Sequence, residues 1–469
     1  MQAPFGQAEG GIAPVPRDRA LMSGWDTGAL WGSLGVSFLV MVVGMFLVPG
    51  LSLPSALLAI LIGAIVGNVL LGLAAAIGSE PRVPTMVLLR APLGVRGSYL
   101  PTALNVLQLL GWATFEVIVM AQAAEVLATR ALGLPSAYST WVVIFTLLTL
   151  LMALAGPVAV TKRWLEPIAV WAALATVAWL TIAVFLTYDV SALWSRPGTG
   201  ETSFWQGVDL VVALPISWFP LVADYSRFAR TRSGALWGTG AGYFVPHVWF
   251  YALGAFLALA GAAVFNPVAP VAPLLTAIAV LTFGWIALLV LLVVETDEAF
   301  ANVYSTALSI QNWFPNAGHR TLIVGICAVV LIVALIIPLT QYESFLLLIG
   351  ACFVPLLGVL AADYFVVNHQ RYETAELYDP AGMYGYQGGF NVEAIAVWLL
   401  GVALYIGIAG LPIGFGDIVG AWLGMEKLVI GGLAPQIGGT LPSFIAVFVV
   451  HAIVGRRAAR RQLTLATRP

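Results

Sequence analysis

Apolar runs recur along the whole chain at or above the roughly 20 residues that cross a bilayer as a helix. They are continuous, without the period-two alternation of barrel strands, so they read as helices. Length and breakers predict helices over 28–49, 54–78, 101–129, 138–156, 164–187 and 204–230, then 240–264, 285–311, 320–338, 342–367, 391–413 and 435–455. The stretch from Asn266 to Phe283 is apolar but is interrupted by Pro267, Pro270 and Pro273, and reads as an external cap. The pattern therefore predicts an all-α integral membrane protein with twelve transmembrane helices.

Composition agrees. The 469 residues are 61% hydrophobic and 9% charged, whereas a soluble chain carries roughly a quarter charged residues. A formal net charge of −2 supplies no basic field for a nucleic-acid partner, so the lipid bilayer is the expected surroundings. Cys327 and Cys352 lie inside apolar runs and read as packed thiols, not as a disulfide or a metal site. Residues 1–27, rich in Pro, Gly and Ala, lack the short apolar core of a signal peptide and read as a cytoplasmic tail; 456–469 read as a basic one.

Charge placement tests the helix count. With the amino terminus inside, seventeen of the Lys and Arg residues fall on tails and inner loops, and only Arg130, Arg196 and Lys427 fall outside. One missed or invented helix would invert every later loop and mix the two sets. The expected topology is multi-pass in the cell membrane, with both termini cytoplasmic.

Two spans carry interruptions well inside the membrane. The first holds Gly32, Ser33, Gly35 and Ser37, and the sixth holds Pro215, Ser217 and Pro220. Proline removes a donor and clashes with the preceding turn, so unwinding there frees polar groups that need protein partners or a wet cavity. Paired broken helices in corresponding halves point to a site near the midplane of an inverted-repeat transporter; each break alone also fits a kink or a close-packing glycine. Gly63 and Gly67, four apart on the second helix, read as packing residues.

Four short motifs, RAPLGVRGS from Arg90 to Ser98, ADYSRF from Ala223 to Phe228, NVYS from Asn302 to Ser305 and ADYF from Ala362 to Phe365, stand in order along these spans. In combination with the broken first and sixth helices the chain resembles the nucleobase:cation symporters of the cytosine/purine permease type over nearly its whole length. The resemblance implies a five-plus-five inverted-repeat (LeuT-like) core over 28–367, with repeats 28–187 and 204–367, and two accessory helices over 368–455. It also implies alternating access, and import of cytosine, a purine, allantoin, a hydantoin or an aminopyrimidine with sodium or protons. No other cofactor and no obligatory protein partner is expected.

Trp112 and Glu116 are four apart and share a helix face. The resemblance implies that a tryptophan at Trp112 stacks on the substrate ring, and that the position of Glu116 makes a polar contact. A carboxylate there accepts two hydrogen bonds from a ring N–H and an exocyclic amine. Trp218, between the prolines of the sixth helix, is a candidate for the opposite ring face, and Gly35, Ser37, Pro215 and Ser217, which border the breaks, are further candidates for substrate binding. Packing is the rival reading for both tryptophans.

The eighth helix carries Glu295, Thr296, Asp297 and Glu298 near mid-span. Charged and facing lipid, its three acids would cost roughly 8 to 10 kcal/mol together. At about 100° per residue, Glu295, Glu298, Asn302 and Ser305 form one stripe, with Asp297 beyond its edge and Thr296 on the other side. Glu298 and Asn302 are candidates for substrate contact. In sodium-coupled members of the family, hydroxyls at positions resembling Thr296 and Asp297 join carbonyls of the broken first helix, here at Val36, around the ion. Asp297 departs from that pattern, which leaves either a strengthened sodium site or a proton carrier; the rival reading is that these acids are protonated or hydrogen-bonded within the bundle and do no coupling.

Several other polar residues read as structural. Asp224 and Asp363 are expected to pair with the nearby Arg227 and Arg371, Asp209 and Glu125 to be solvated or paired near helix ends, and His247 to be a packed histidine. An intramembrane enzyme is the alternative class, but no HExxH, GxSxG or paired histidines occur. A channel would use a filter repeated across subunits.

Overall fold

The computed structural model describes residues 11–261, 263, 271–337, 342–409, 412–413, 428–429 and 436–466, with the backbone alone at 131, 342, 344, 412–413, 428–429 and beyond Arg456. Lys427, Arg468, Pro267 and Pro270, used in the charge and cap expectations, lie outside them. Among the described residues nine helices are long and apolar enough to cross a membrane, and a pair bent by 60° supplies a tenth.

The bent pair is α1 (Gly24–Leu34) and α2 (Phe38–Phe46). Next come α3 (Leu53–Ser79), α4 (Tyr99–Val126) and α5 (Tyr138–Ala155). α6 (Val170–Thr187) continues a span that already begins at Pro157. The interrupted sixth span is α7 (Phe204–Ser217), a 3-10 turn at Phe219–Leu221, and α8 (Val222–Ser226). α9 (Arg232–Leu259) is followed by the short α10 (Ala272–Val280), which occupies the described part of the expected cap. α11 (Gly284–Val294) and α12 (Thr296–Trp313) are separated by Glu295 alone. α13 (His319–Ile336), α14 (Tyr342–Ala362), α15 (Val392–Ala409) and α16 (Thr440–Ala466) complete the bundle.

Several boundaries differ from the sequence pattern for local reasons. α9 starts well before residue 240, because Thr231 caps it by accepting from the Gly234 amide at 3.0 Å. The helix expected to reach 413 ends at Ala409, and Pro412–Ile413 pairs antiparallel with Leu428–Val429. Proline has no ladder-breaking cost in so short an edge pair. α16 starts at Thr440, after Gly438 at φ +69°. Its first amides are held by Asp209, whose carboxylate accepts from Gly439 N at 2.5 Å and Thr440 N at 3.1 Å.

Burial grades from the centre outward. The span Phe204–Ser226 is 94% buried in its apolar window, whereas α5 and α13 are 28% buried. Their outward faces and those of their neighbours carry exposed Leu147, Leu151, Trp171, Leu186 and Ile336. Apolar surface of this extent on helices of spanning length suits hydrocarbon, not water.

Small residues bring the central helices together. Gly24 and Gly28 on α1 face Gly234, Gly238 and Gly242 on α9; a Cβ added at Gly238 or Gly242 would stand 2.7 Å from the carbonyl oxygen of Gly24 or Gly28. Gly44 of α2 lies equally tightly on Tyr251, and Gly254 of α9 on the Met41 backbone. Gly63 and Gly67 of α3 lie against Val211 and Pro215 of α7. Backbone approach of this kind replaces the hydrophobic driving force that is missing between helices in lipid.

Candidate functional site

Three interruptions converge at the centre. At the first, Gly35–Ser37 leave the helix; the Ser37 hydroxyl then caps α2 by accepting from Leu39 N at 3.1 Å. Glu295, at the junction of α11 and α12, accepts from the Ser37 hydroxyl at 2.8 Å and from Phe38 N at 3.2 Å. One carboxylate thus satisfies the start of α2 and ties it to the eighth span. At the sixth-span break, two carbonyls freed by Pro220 and the 3-10 turn are taken up by α4. Gln108 Nε2 donates to Ser217 O at 3.1 Å and Asn105 Nδ2 donates to Pro220 O at 3.2 Å. Asn105 also donates to the Ser309 hydroxyl at 2.9 Å, linking α12 to the same node. The backbone bonds lost at the break are therefore recovered within protein.

Between these breaks lies a narrow pocket lined by Ser37, Leu39, Val40, Trp112, Glu116, Leu214, Ser217, Trp218, Tyr243, Glu298 and Asn302. In this conformation it has room for roughly one water molecule. Trp218 donates its indole N–H to the Tyr243 hydroxyl at 2.9 Å. Trp31 stands edge-on to Trp218 and Tyr243, with centroids 5.8 and 6.1 Å away, so the Trp218 ring is locked by an aromatic cluster. Trp112 is braced by Phe345 and Phe115 at 5.3 and 6.2 Å.

The Glu116 carboxyl faces those of Glu295 and Glu298. All three residues are buried, with Glu116 in hydrogen-bonding reach of both other carboxyls, and no donor from another residue type reaches either Glu116 oxygen or Glu298 Oε1. Asp297 is not among the pocket's lining residues and stands beside Ser33. Thr296 donates to Val293 O at 2.7 Å, and Val36, at the first break, is buried.

Of the substrate candidates, the pocket brings together Ser37, Trp112, Glu116, Ser217, Trp218, Glu298 and Asn302. Gly35 and Pro215 are not among its lining residues. Gly35 closes on Pro246 of α9, where a Cβ would meet Pro246 Cγ at 2.7 Å, and Pro215 packs on Gly67. Tyr243, Trp31, Gln108 and Asn105 were not singled out by the sequence. Asn105, Gln108, Trp112 and Glu116 share one face of α4, so the polar stripe was a usable signal; Tyr243 and Trp31 had none beyond their aromaticity.

Two expected ion pairs are replaced. Asp224 accepts from Thr85 N at 2.9 Å, while Arg227 donates to the Tyr304 hydroxyl at 2.8 Å. Asp363 is held by His451 at 3.2 Å and by the Tyr372 hydroxyl at 2.7 Å, and Arg371 pairs with Glu373 at 3.2 Å. Side chains distant in sequence supply these partners, which local spacing does not reveal. His247 is fully buried between Tyr243 and Tyr251 and within 3.4 Å of Asn68 Nδ2, as a packed histidine should be.

A bundle of helices long and apolar enough to cross a membrane, with broken helices around a buried polar pocket, is the architecture of a membrane transporter. The chain belongs to the family of permeases for cytosine/purines, uracil, thiamine and allantoin, whose model matches residues 14–429. It is a secondary transporter of that family and not an enzyme. Among relatives, it is 23% identical over 415 residues to the hydantoin permease of Microbacterium maritypicum, covering 84% of this chain and 83% of the relative. With the allantoin permease of Bacillus subtilis (strain 168) it shares 24% identity over 365 residues, 70% of this chain and 72% of the relative. Its fold matches that of MHP1, a nucleobase-cation-symport-1 family transporter in a closed conformation with bromovinylhydantoin bound. The TM-score is 0.78 at 19% identity, over 98% of this chain and 96% of that one.

Proposed function

We propose that this protein is a symporter that imports a nucleobase-like heterocycle through a five-plus-five core of twelve spans, residues 28–367 forming the core and 368–455 two accessory helices. The observation that carries the reading is the pocket at the meeting point of the three helix breaks, where Trp112 and Trp218 stand with Glu116, Glu298 and Asn302. Two indoles offer ring faces and the polar groups offer hydrogen bonds, which is the pairing a flat heterocycle needs. The relatives' substrates, hydantoin and allantoin, fit that description. Because the pocket is nearly filled by its own side chains, admission of a ring requires rearrangement, as alternating access entails.

The coupling site in this reading is formed by Asp297, Thr296 and the backbone at Val36. Asp297 is buried beside Ser33, with the acids Glu295 and Glu298 nearby, so a cation, sodium or a proton, offsets its charge. The protein resides in the cell membrane with both termini cytoplasmic. Uptake into proteoliposomes across separately imposed sodium and proton gradients tests the assignment. One gradient should drive concentrative uptake, and Asp297→Asn should abolish accumulation while equilibrium substrate binding stays measurable. Normal accumulation by that variant would remove Asp297 from coupling.

A further inference from the structure

Resting on the reading that the central pocket takes a heterocycle, we propose that the substrate is a positively charged ring of the amidinium or aminopyrimidinium kind, held by Glu116 and Glu298 between Trp112 and Trp218. Both acids line the pocket, at 0% and 5% exposure. Apart from the neighbouring carboxyls, no donor reaches either Glu116 oxygen or Glu298 Oε1. The charged groups beside them are further carboxyls, Glu295 for both and Asp297 for Glu298. A buried carboxylate without a paired cation or donors carries a desolvation cost that the fold itself does not offset here.

The remaining acids do not relieve this demand. Glu295 is served by the Ser37 hydroxyl and the Phe38 amide, so it adds negative potential while needing nothing from a ligand. Asp297 contacts Ser33 and is not among the residues that line the pocket. The hydrogen-bond contacts of Glu116 and Glu298 are thus with other acids and, for Glu298, with Ser37, and among the described residues neither forms a salt bridge, which leaves positive charge to be supplied by the pocket's occupant. An amidinium edge supplies both, since its parallel N–H groups match the two oxygens of a carboxylate. The walls agree with this choice, because a cation over an indole face is attracted by the ring quadrupole, and two indoles and the Tyr243 phenol border the pocket. A neutral dicarbonyl ring offers single N–H donors flanked by carbonyl oxygens and brings no positive charge.

Isothermal titration of the purified full chain with matched rings tests the proposal. 2-Aminoimidazole, a cyclic guanidine that is cationic at neutral pH, is compared with neutral imidazol-2-one, which has a carbonyl in place of the amidine carbon's amino group. Uracil and hydantoin serve as further neutral rings. The cation should bind at least about tenfold tighter than imidazol-2-one, and Glu116→Gln and Glu298→Gln should each erase most of that advantage. Equal or tighter binding of the neutral rings to the unaltered protein overturns the charge assignment but leaves the heterocycle reading standing. Binding of none of the rings overturns both. A preference for the cation that survives in both variants overturns the role of these two acids. The comparison of rings on the unaltered protein needs no substitution, so poor folding of a variant does not blunt it.

Discussion

Trp112 and Glu298 reach the same pocket from α4 and α12. The Trp112 ring is braced by Phe115 and Phe345, which lowers the entropy lost when a ligand stacks on it. Trp112→Ala should weaken substrate binding by about 1 to 3 kcal/mol, the scale of base–aromatic stacking, or roughly five- to more than a hundredfold. Titration of a transported heterocycle checks this, and unchanged affinity would exclude the ring from recognition. Glu295 acts on structure. Its carboxylate is the acceptor for the Ser37 hydroxyl and the Phe38 amide, so Glu295→Ala leaves buried donors unmet at a cost of about 1 to 3 kcal/mol. Thermal unfolding in detergent should show the Ala variant clearly destabilised and Glu295→Gln, which keeps an acceptor, less so. Sequence alone placed Glu295 on the stripe of Glu298 and Asn302. It could not show that the partner would be the start of α2, 257 residues away.

The helices differ in how much of them was legible. Apolar length located every long span, because crossing hydrocarbon demands it. The first and sixth breaks were visible through Gly, Ser and Pro, whereas the single-residue interruption at Glu295 was not, since Val294 and Thr296 carry no breaker. The α1–α9 contact was also hidden. Gly24, Gly28, Gly234, Gly238 and Gly242 are spaced four apart on each helix, yet only a known partner turns such spacing into a contact. A Cβ at Gly242 would meet the Gly28 backbone at 2.7 Å, so a large side chain must force α1 from α9. Gly242→Leu should cost at least about 1 to 3 kcal/mol, the range for overpacking, and should lower both the yield of folded protein and its melting temperature. A variant as stable as the parent would show that the helices separate without penalty.

At the scale of the whole molecule, the charge split makes a prediction of its own. A reporter active only in the cytoplasm should work when fused after α16 and be silent when inserted near Arg196, which follows α6 and precedes α7. Activity at both positions would rule out the proposed topology. The four motifs show what is gained in three dimensions. Arg90 donates from Nε to Asn312 at 2.9 Å and from Nη1 to Leu377 O at 3.1 Å, Arg227 reaches Tyr304, and Asp363 meets His451. Each motif thus ties its helix to one far away in the chain. The sequence by itself determined the membrane class, the long helices, the position of two breaks and the face that Trp112 shares with Glu116, because these follow from hydrocarbon thickness, proline chemistry and helical periodicity. Only the tertiary structure decided that Tyr243 borders the pocket, that Gly35 and Pro215 serve packing, and that Glu116 and Glu298 face one another. Those outcomes depend on which helices meet and at what rotation, and packing of side chains against distant partners sets both.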